Sequence, residues 1–315
     1  MKIILANPRG FCAGVNMAIE CVDRALDVVG SPLYVYHEIV HNRHVVEGFR
    51  DRGVVFVDHI DEVPPEQTVI FSAHGVSPEV RNRAKERGCT MIDATCPLVT
   101  KVHMEAVRYA RQGYNILLIG HAGHDEVEGT VGEAPGAITI VESVDDVKDL
   151  PFTEDDPLVY LTQTTLSMDD ANVIIEAIRQ RYPHVKNPPS EDICYATTNR
   201  QLAVREEAGD TDLVLVVGSQ NSSNSVRLTE ISETTGTPAH LVDDVSEIEY
   251  AWFDGVDSVL VTAGASAPEH LVEEIVDELV DKYDGEVTET HVVDEDMHFN
   301  LPVSLRVLTE AEGAA

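Results

Sequence analysis

The feature of this sequence that most limits its fold is a pattern of cysteine, helix, strand and polar loop that occurs three times. The pattern starts at three widely spaced cysteines: Cys12, Cys96 and Cys194. A polar loop follows 29, 28 and 29 residues later, and these loops hold, in turn, His41, His124 and Ser223. A second apolar run in each copy leads to a second polar loop, which holds His74, Thr164 or Ser266. Such recurrence indicates one structural unit used three times.

The apolar runs predict an α/β fold with parallel strands. They are short, they alternate with helical stretches, and they consist mainly of Val, Ile, Leu and Ala, with only 5% aromatic residues in the chain. Functional groups collect at the carboxyl ends of the strands in parallel sheets. Three similar domains in a pseudo-threefold cloverleaf would therefore bring the cysteines and the polar loops to one central cavity. A coincidental spacing in an ordinary α/β protein is the alternative.

The repeat also predicts domain boundaries. The expected domains are residues 14–96, residues 97–191, and residues 1–13 together with residues 192–284. The first strand, Lys2–Ala6, precedes Cys12 and is expected to complete the third domain. Residues 285–315 are a C-terminal tail to which we assign no contacts.

Net charge limits the partners of the chain. Its 56 acidic and 22 basic residues give a formal net charge of −34, a field that repels nucleic acid and anionic membranes. We interpret it as an acidic, halophile-like surface that keeps the protein soluble in a salty cytoplasm; binding of a basic partner is the alternative. No apolar run approaches the ~18 residues of a membrane span, and the N-terminal one is too short for a signal peptide. We therefore expect a cytoplasmic protein, in which disulfides are rare.

The three repeat cysteines share a local setting that suits a metal centre. Each lies in a turn that opens a helix, where the thiol pKa is lowered and the thiolate favoured. Three thiolates on a four-iron cluster leave one iron open to a substrate oxygen, and the cluster can also donate electrons. A zinc ion held by three cysteines is the alternative, but it would supply no electrons. The other two cysteines, Cys21 and Cys89, lack this setting and are interpreted as structural.

The polar loops are rich in neutral hydrogen-bond donors, and Arg43 is the only cation near them. Small hydroxyl, amide and imidazole groups at helix N-termini predict a diphosphate pocket. A site for two metal ions is the alternative, although serine and asparagine are poor transition-metal ligands. Glu126 lies in the one loop where a carboxylate is flanked by glycine and histidine, and it is our candidate proton source. An ordinary surface carboxylate is the other interpretation of Glu126.

Nine segments together resemble the signature motifs of the LytB/IspH family of 4-hydroxy-3-methylbut-2-enyl diphosphate reductases. In chain order they are NPRGFCAG, HEIVHN, FSAHGVS, DATCPLVTKVH, GHAGHDEVEGT, TQTTLS, DICYATTNRQ, VVGSQNSSNS and TAGASAP. The resemblance implies three α/β domains in a cloverleaf around a 4Fe–4S cluster. It also implies reductive removal of the substrate hydroxyl to give isopentenyl and dimethylallyl diphosphate, the last step of the methylerythritol phosphate pathway.

The resemblance assigns roles to individual positions. The implied cluster ligands are Cys12, Cys96 and Cys194, with the substrate hydroxyl on the open iron. The implied diphosphate contacts are His41, His74, His124, Ser222, Ser223, Asn224 and Ser266. The implied catalytic residues are Glu126 as the acid, Thr164 at the substrate hydroxyl, with Thr165 beside it, and His124.

A reductase of this kind needs an external one-electron donor, such as a ferredoxin or a flavodoxin. The chain itself has no dinucleotide-binding motif, since the glycines around Cys12 do not follow the GxGxxG pattern. Two other functions stay open: an iron–sulfur dehydratase that needs no net electron transfer, and a non-catalytic iron–sulfur sensor.

Overall fold

The computed structural model of the chain describes residues 1–313 and divides them into two compact units. Unit 1 combines three segments: Met1–Asn16, His41–Gly48 and Tyr195–His298. Unit 2 combines Met17–Val40, Phe49–Cys194 and the described residues from Phe299 onward. The domain boundaries given above stay a prediction. Within the described residues, no helix is both long and apolar enough to cross a membrane.

Helices and short strands alternate along the chain. The strands are β1 (Lys2–Leu5), β2 (Leu33–Tyr36), β3 (Val54–Val57), β4 (Thr68–Phe71), β5 (Thr90–Asp93), β6 (Asn115–Ile119), β7 (Ile138–Val141), β8 (Leu158–Thr162), β9 (Leu213–Val217), β10 (Ala239–Val242), β11 (Ser258–Ala263) and β12 (Glu286–Glu289). The helices are α1 (Ala13–Val29), α2 (Arg43–Asp51), α3 (Pro78–Glu86), α4 (Pro97–Arg111), α5 (Asp125–Glu133), α6 (Val144–Asp149), α7 (Met168–Arg181), α8 (Tyr195–Glu207), α9 (Ser223–Thr235), α10 (Glu269–Tyr283) and α11 (Val303–Gly313).

The strands form three sheets in which all pairings are parallel. Their orders are β10-β9-β11-β1-β12 in unit 1, and β3-β2-β4-β5 and β7-β6-β8 in unit 2. In each sheet the first strand of the repeat lies between the next two, as β2 lies between β3 and β4. In each sheet the last of these three strands has one further parallel neighbour. Strand β11 pairs with β1, β4 pairs with β5, and β8 forms a single bridge between Val159 and Lys186. Along the chain, Cys12 follows β1, Cys96 follows β5 and Cys194 follows Lys186. The parallel sheets with their helices confirm the predicted α/β class.

Buried aliphatic strands form the cores. All five residues of β9, inside the five-stranded sheet, and of β8, at the end of the three-stranded sheet, are buried. Helix ends carry the expected signals: Ser167 accepts a hydrogen bond from the backbone N–H of Asp170 at the start of α7, and arginines occupy its last turn. This packing fixes the strand ends from which the polar loops leave.

The residues after the third repeat form more structure than the sequence indicated. Strand β12 pairs with β1 at the edge of the unit 1 sheet. Beyond it, Glu295 accepts hydrogen bonds from Asn199 and Arg200 on α8. The sequence of this tail has no apolar periodicity of its own, and its conformation depends on these contacts with distant residues.

Candidate active site

Each repeat cysteine lies immediately before a helix. Cys12 precedes α1, Cys96 is the N-cap of α4, and Cys194 precedes α8. The backbone N–H of Val15 donates to the Sγ atom of Cys12 at 3.5 Å. All three cysteines are partly exposed. Helix N-termini stabilise thiolates, and partial exposure leaves the sulfurs accessible to a metal.

The two remaining cysteines have different surroundings. Cys21 lies inside α1 and Cys89 lies just before β5, and both are buried. Burial raises the pKa of the Cys21 thiol to about 12, and burial also raises the pKa of Cys89. These are protonated core thiols at neutral pH, as the sequence predicted.

A buried arginine holds the turn that carries Cys12. The guanidinium of Arg200, on α8, is fully buried and donates to the carbonyl oxygen of Gly10 at 2.6 and 3.0 Å. Glu295 pairs with this guanidinium at 3.0 Å and balances its charge. The hydroxyl of Tyr195 accepts a hydrogen bond from the backbone N–H of Ala13 at 3.0 Å. One end of α8 thus fixes both sides of the Cys12 turn.

In unit 2, Glu126, Thr164 and Cys194 form a connected chain of hydrogen bonds. The Glu126 carboxyl is buried, with Oε1 accepting from the Thr164 backbone N–H at 2.7 Å and Oε2 from the Thr164 hydroxyl at 2.9 Å. The carbonyl oxygen of Thr164 accepts from the backbone N–H of Cys194 at 3.0 Å. The sequence left open whether Glu126 is a surface acid; the structure buries it and connects it, through Thr164, to the backbone of a repeat cysteine.

Histidines and one further carboxylate lie next to this series of hydrogen bonds. Nδ1 of His124 accepts from the backbone N–H of Glu126 at 3.1 Å, so a neutral His124 carries its proton on Nε2. The rings of His124 and His74 meet edge-on, with centroids 6.0 Å apart. Asp125 lies 2.7 Å from Nδ1 of His37 and 3.9 Å from Nδ1 of His74. The hydrogen bond to Asp125 raises the pKa of His37.

In unit 1, small polar side chains surround the start of α9. Ser222 is the N-cap, and the Ser266 hydroxyl lies 3.3 Å from the Ser222 hydroxyl and donates to the carbonyl oxygen of His41 at 2.8 Å. Oδ1 of Asn224 accepts from the backbone N–H of Ala265 at 3.0 Å. The first turn of α9 contains no acidic residue.

Two buried amide groups of unit 1 lack a hydrogen-bond partner among the described residues. They are Nδ2 of Asn42 and Nδ2 of Asn224. Burying an unpaired polar group costs about 1–3 kcal/mol, so a hydrogen-bond acceptor bound next to either amide would stabilise it. Arg43 is committed elsewhere, because its guanidinium pairs with Asp244 at 2.9 Å and with Glu247 at 3.5 Å. The polar environment therefore offers mainly neutral donors to an anion.

A match to a known protein family agrees with the nine motifs, the three cysteines at helix starts and the repeated sheet order. Residues 3–280 match the family described as LytB protein. The chain belongs to the LytB family. The resemblance inferred from the sequence is thereby confirmed.

Relatives within the LytB family are similar over their whole length. A protein of Rhodopirellula baltica named 4-hydroxy-3-methylbut-2-enyl diphosphate reductase is 55% identical over 315 residues, covering 100% of this chain and 99% of the relative. A protein of the same name from Hahella chejuensis is 57% identical, covering 98% of each. The solved structure of the E-1-hydroxy-2-methyl-but-2-enyl-4-diphosphate reductase from Plasmodium falciparum matches with a TM-score of 0.96 and 38% identity, covering 99% of both chains. A second reductase structure, titled as the terminal enzyme of the non-mevalonate pathway, matches with a TM-score of 0.64 and 30% identity, covering 89% of this chain and 100% of that one.

The predicted site residues fall into two groups, one in each unit. Unit 1 holds Cys12, His41, Ser222, Ser223, Asn224 and Ser266, and unit 2 holds His74, Cys96, His124, Glu126, Thr164 and Cys194. That they serve one site stays a prediction. Sequence reasoning missed Asp125 and Arg200; the motif letters included both, but nothing in the local pattern separated them from ordinary charged residues.

Proposed function

We propose that this chain is a 4-hydroxy-3-methylbut-2-enyl diphosphate reductase, the activity for which its relatives are named. The observation that carries the proposal is the hydrogen-bonded chain from Glu126 through Thr164 to Cys194. It links a buried acid and a hydroxyl, which can protonate a leaving hydroxyl, to the backbone N–H of a proposed ligand of the redox centre.

The donor set of the repeat cysteines fits an iron–sulfur cluster. Three partly exposed thiols, each at a helix N-terminus, supply three thiolates, and these residues are Cys12, Cys96 and Cys194. A 4Fe–4S cluster bound by them would supply electrons and Lewis acidity for removal of a hydroxyl. The role of Arg200 would be to hold the Cys12 turn in the ligating conformation through the carbonyl of Gly10.

The neutral donors bind the diphosphate in this proposal. Ser222, Ser223 and Asn224 present hydroxyl and amide groups at an acid-free helix N-terminus, where the helix dipole favours an anion. Ser266, His41, His74 and His124 are assigned to the same diphosphate from the family motifs. Binding energy from this remote part of the substrate would position its reacting end.

Glu126 and Thr164 move the proton. A hydroxyl can both accept and donate a hydrogen bond, so Thr164 can receive a proton from Glu126 and pass it to the leaving hydroxyl of the substrate. The bond between the Thr164 N–H and Oε1 keeps the carboxyl oriented while the proton moves. His124, with its proton on Nε2, is a further donor for a bound anion.

The test is to purify the full chain under anaerobic conditions, measure iron and sulfide, and assay turnover of 4-hydroxy-3-methylbut-2-enyl diphosphate with reduced methyl viologen. We expect about four irons per chain and formation of both isopentenyl and dimethylallyl diphosphate. A stoichiometric zinc content without turnover would contradict the proposal. Turnover that continues without any reductant would identify a dehydratase instead. A cytoplasmic location and a ferredoxin or flavodoxin donor stay predictions from the sequence.

A further inference from the structure

Basic residues are concentrated in one part of this acidic chain. Residues 81–111 contain seven Lys or Arg and only three Asp or Glu, although the whole chain carries a net charge of −34. The segment includes α3, β5 and α4, and Cys96 lies in it, directly before α4. The positive charge is thus placed next to a proposed ligand of the redox centre.

The exposed side of α4 combines positive charge with an apolar residue. Lys101, Met104, Arg108 and Arg111 follow one another at helical spacings of three and four, so they lie on one side of the helix. Met104 is 68% exposed, the highest value among the large apolar side chains that the structure describes. Single exposed apolar residues are common, but one flanked by cations on a helix facing solvent fits a docking surface with an apolar centre and a charged rim.

We call the side of α4 formed by Lys101, Met104, Arg108 and Arg111 the α4 stripe. Its two arginines can form ion pairs with a partner protein. Within the described residues, neither Arg108 nor Arg111 forms an ion pair, whereas Arg83 on α3 and Arg87 directly after it both pair with Asp61. The guanidinium of Arg108 lies over the ring of Tyr109, 4.6 Å from its centroid. The stripe borders a groove of about 1140 Å³.

The stripe is close to the redox centre proposed above. At the helical rise of about 1.5 Å per residue, Met104 lies roughly 12 Å along the α4 axis from Cys96. Lys101 lies between them and is anchored to Asp192, with Nζ 3.0 Å from the carboxylate. The surface is therefore held rigidly on a helix whose first turn adjoins the cysteine.

We propose that the exposed α4 surface formed by Met104, Arg108 and Arg111 is the docking site of an acidic one-electron carrier protein. The proposal rests on the proposed reductase function, which needs electrons from outside the chain, and the glycines around Cys12 do not follow the GxGxxG pattern of a dinucleotide site. An acidic carrier would be repelled by most of this molecule and attracted here, so the charge distribution selects both the partner and its orientation. Redox complexes of this kind bury small areas, below about 1,200 Å², which one helix and its borders can provide.

The test compares two donors for the intact cluster-loaded enzyme: reduced methyl viologen and a reduced bacterial ferredoxin of net negative charge. The variant is Arg108→Glu with Arg111→Glu. We expect its KM for ferredoxin to rise by about tenfold or more at low ionic strength, since like charges now face each other, while viologen-driven turnover stays at the wild-type rate. Met104→Ala should raise the same KM less, without changing viologen-driven turnover.

The matched control is Arg24→Glu with Lys148→Glu. It changes the net charge equally at two exposed positions outside α4, and its KM for ferredoxin should stay near the wild-type value. An unchanged ferredoxin KM in the α4 variant, or an equal rise in the control, would overturn the docking site. Binding of DNA or anionic vesicles through these arginines with an unchanged ferredoxin KM would count against it as well. Absence of viologen-driven turnover in the wild type would instead contradict the reductase function itself.

Discussion

Helices α5 and α9 occupy equivalent places in their repeats, since α5 follows β6 and α9 follows β9, yet their N-terminal turns carry different side chains. Both are capped by a side chain: His124 accepts from the backbone N–H of Glu126, and Ser222 from that of Ser225. The first turn of α5 contains Asp125, Glu126 and Glu128. The first turn of α9 contains no acid.

Under the proposed function, the difference lets one local geometry serve two kinds of chemistry. A helix N-terminus favours negative charge, whether this charge is on a side chain or on a ligand. Helix α5 fills the favourable position with its own carboxylates, one of them buried against Thr164. Helix α9 has no acid in its first turn and carries hydroxyl and amide groups there instead. In the function proposed above, the same backbone geometry would provide an acid in one repeat and an anion site in another.

The largest effect is expected from removing the acid of α5. In Glu126→Gln, the amide oxygen can still accept from the Thr164 N–H, and the Thr164 hydroxyl can turn to accept from the new amide. We therefore expect an intact fold and normal iron content, but turnover reduced by about 10²-fold or more, the usual contribution of a general acid. Viologen-driven turnover measures this. The control is Glu128→Gln, an exposed acid of the same turn, which should be near wild type; near-normal turnover in Glu126→Gln would refute the assignment.

A smaller effect is expected from adding an acid to α9. Asn224→Asp keeps the oxygen that accepts from the Ala265 N–H and replaces the buried amide donor by a second negative oxygen. Repulsion of the diphosphate should raise KM by about tenfold or more, because like charges close together in a buried site repel each other by at least the roughly 1.4 kcal/mol that a tenfold change represents. Steady-state kinetics at saturating reductant tests this. Thr235→Asp adds the same charge at the exposed other end of α9 and should leave KM unchanged; equal KM values in both variants would show that α9 does not bind the anion.

Local signals in the sequence predicted most of the framework. Apolar periodicity and capping residues predict strands at Leu33–Tyr36 and Leu213–Val217 and helices at Ala13–Val29 and Glu269–Tyr283. The structure has the same bounds, because these signals act within a few residues. For two helices the helical periodicity alone predicts later starts, at Thr100 and Asn199, whereas α4 begins at Pro97 and α8 at Tyr195. The interpretation of the cysteines as helix-opening residues located both starts.

The features that the sequence could not supply depend on contacts between distant residues. Glu126 is buried because Thr164, in the loop after β8, donates to both of its oxygens. Arg200 looks like any helix arginine until the carbonyl of Gly10 and the carboxylate of Glu295 are placed around it. Asp125 likewise gains a role only when His37 and His74 are brought beside it.

The smallest effect is expected from a further difference between the two first turns: in α5, Asp125 forms a hydrogen bond with the side chain of His37. The pKa of His37 is raised by Asp125 in the folded protein, so the pair stabilises the fold fully below the ordinary histidine pKa of about 6.5 and loses this contribution as pH rises through the raised value. His37→Gln should therefore lower the free energy of unfolding more at pH 5.5 than at pH 8.5, by less than about 1 kcal/mol because the pair is partly exposed. Urea denaturation at both pH values measures the difference. In an Asp125→Asn background the same substitution should cost equal free energy at both pH values. A pH dependence that survived there would mean that a group other than Asp125 raises the pKa of His37.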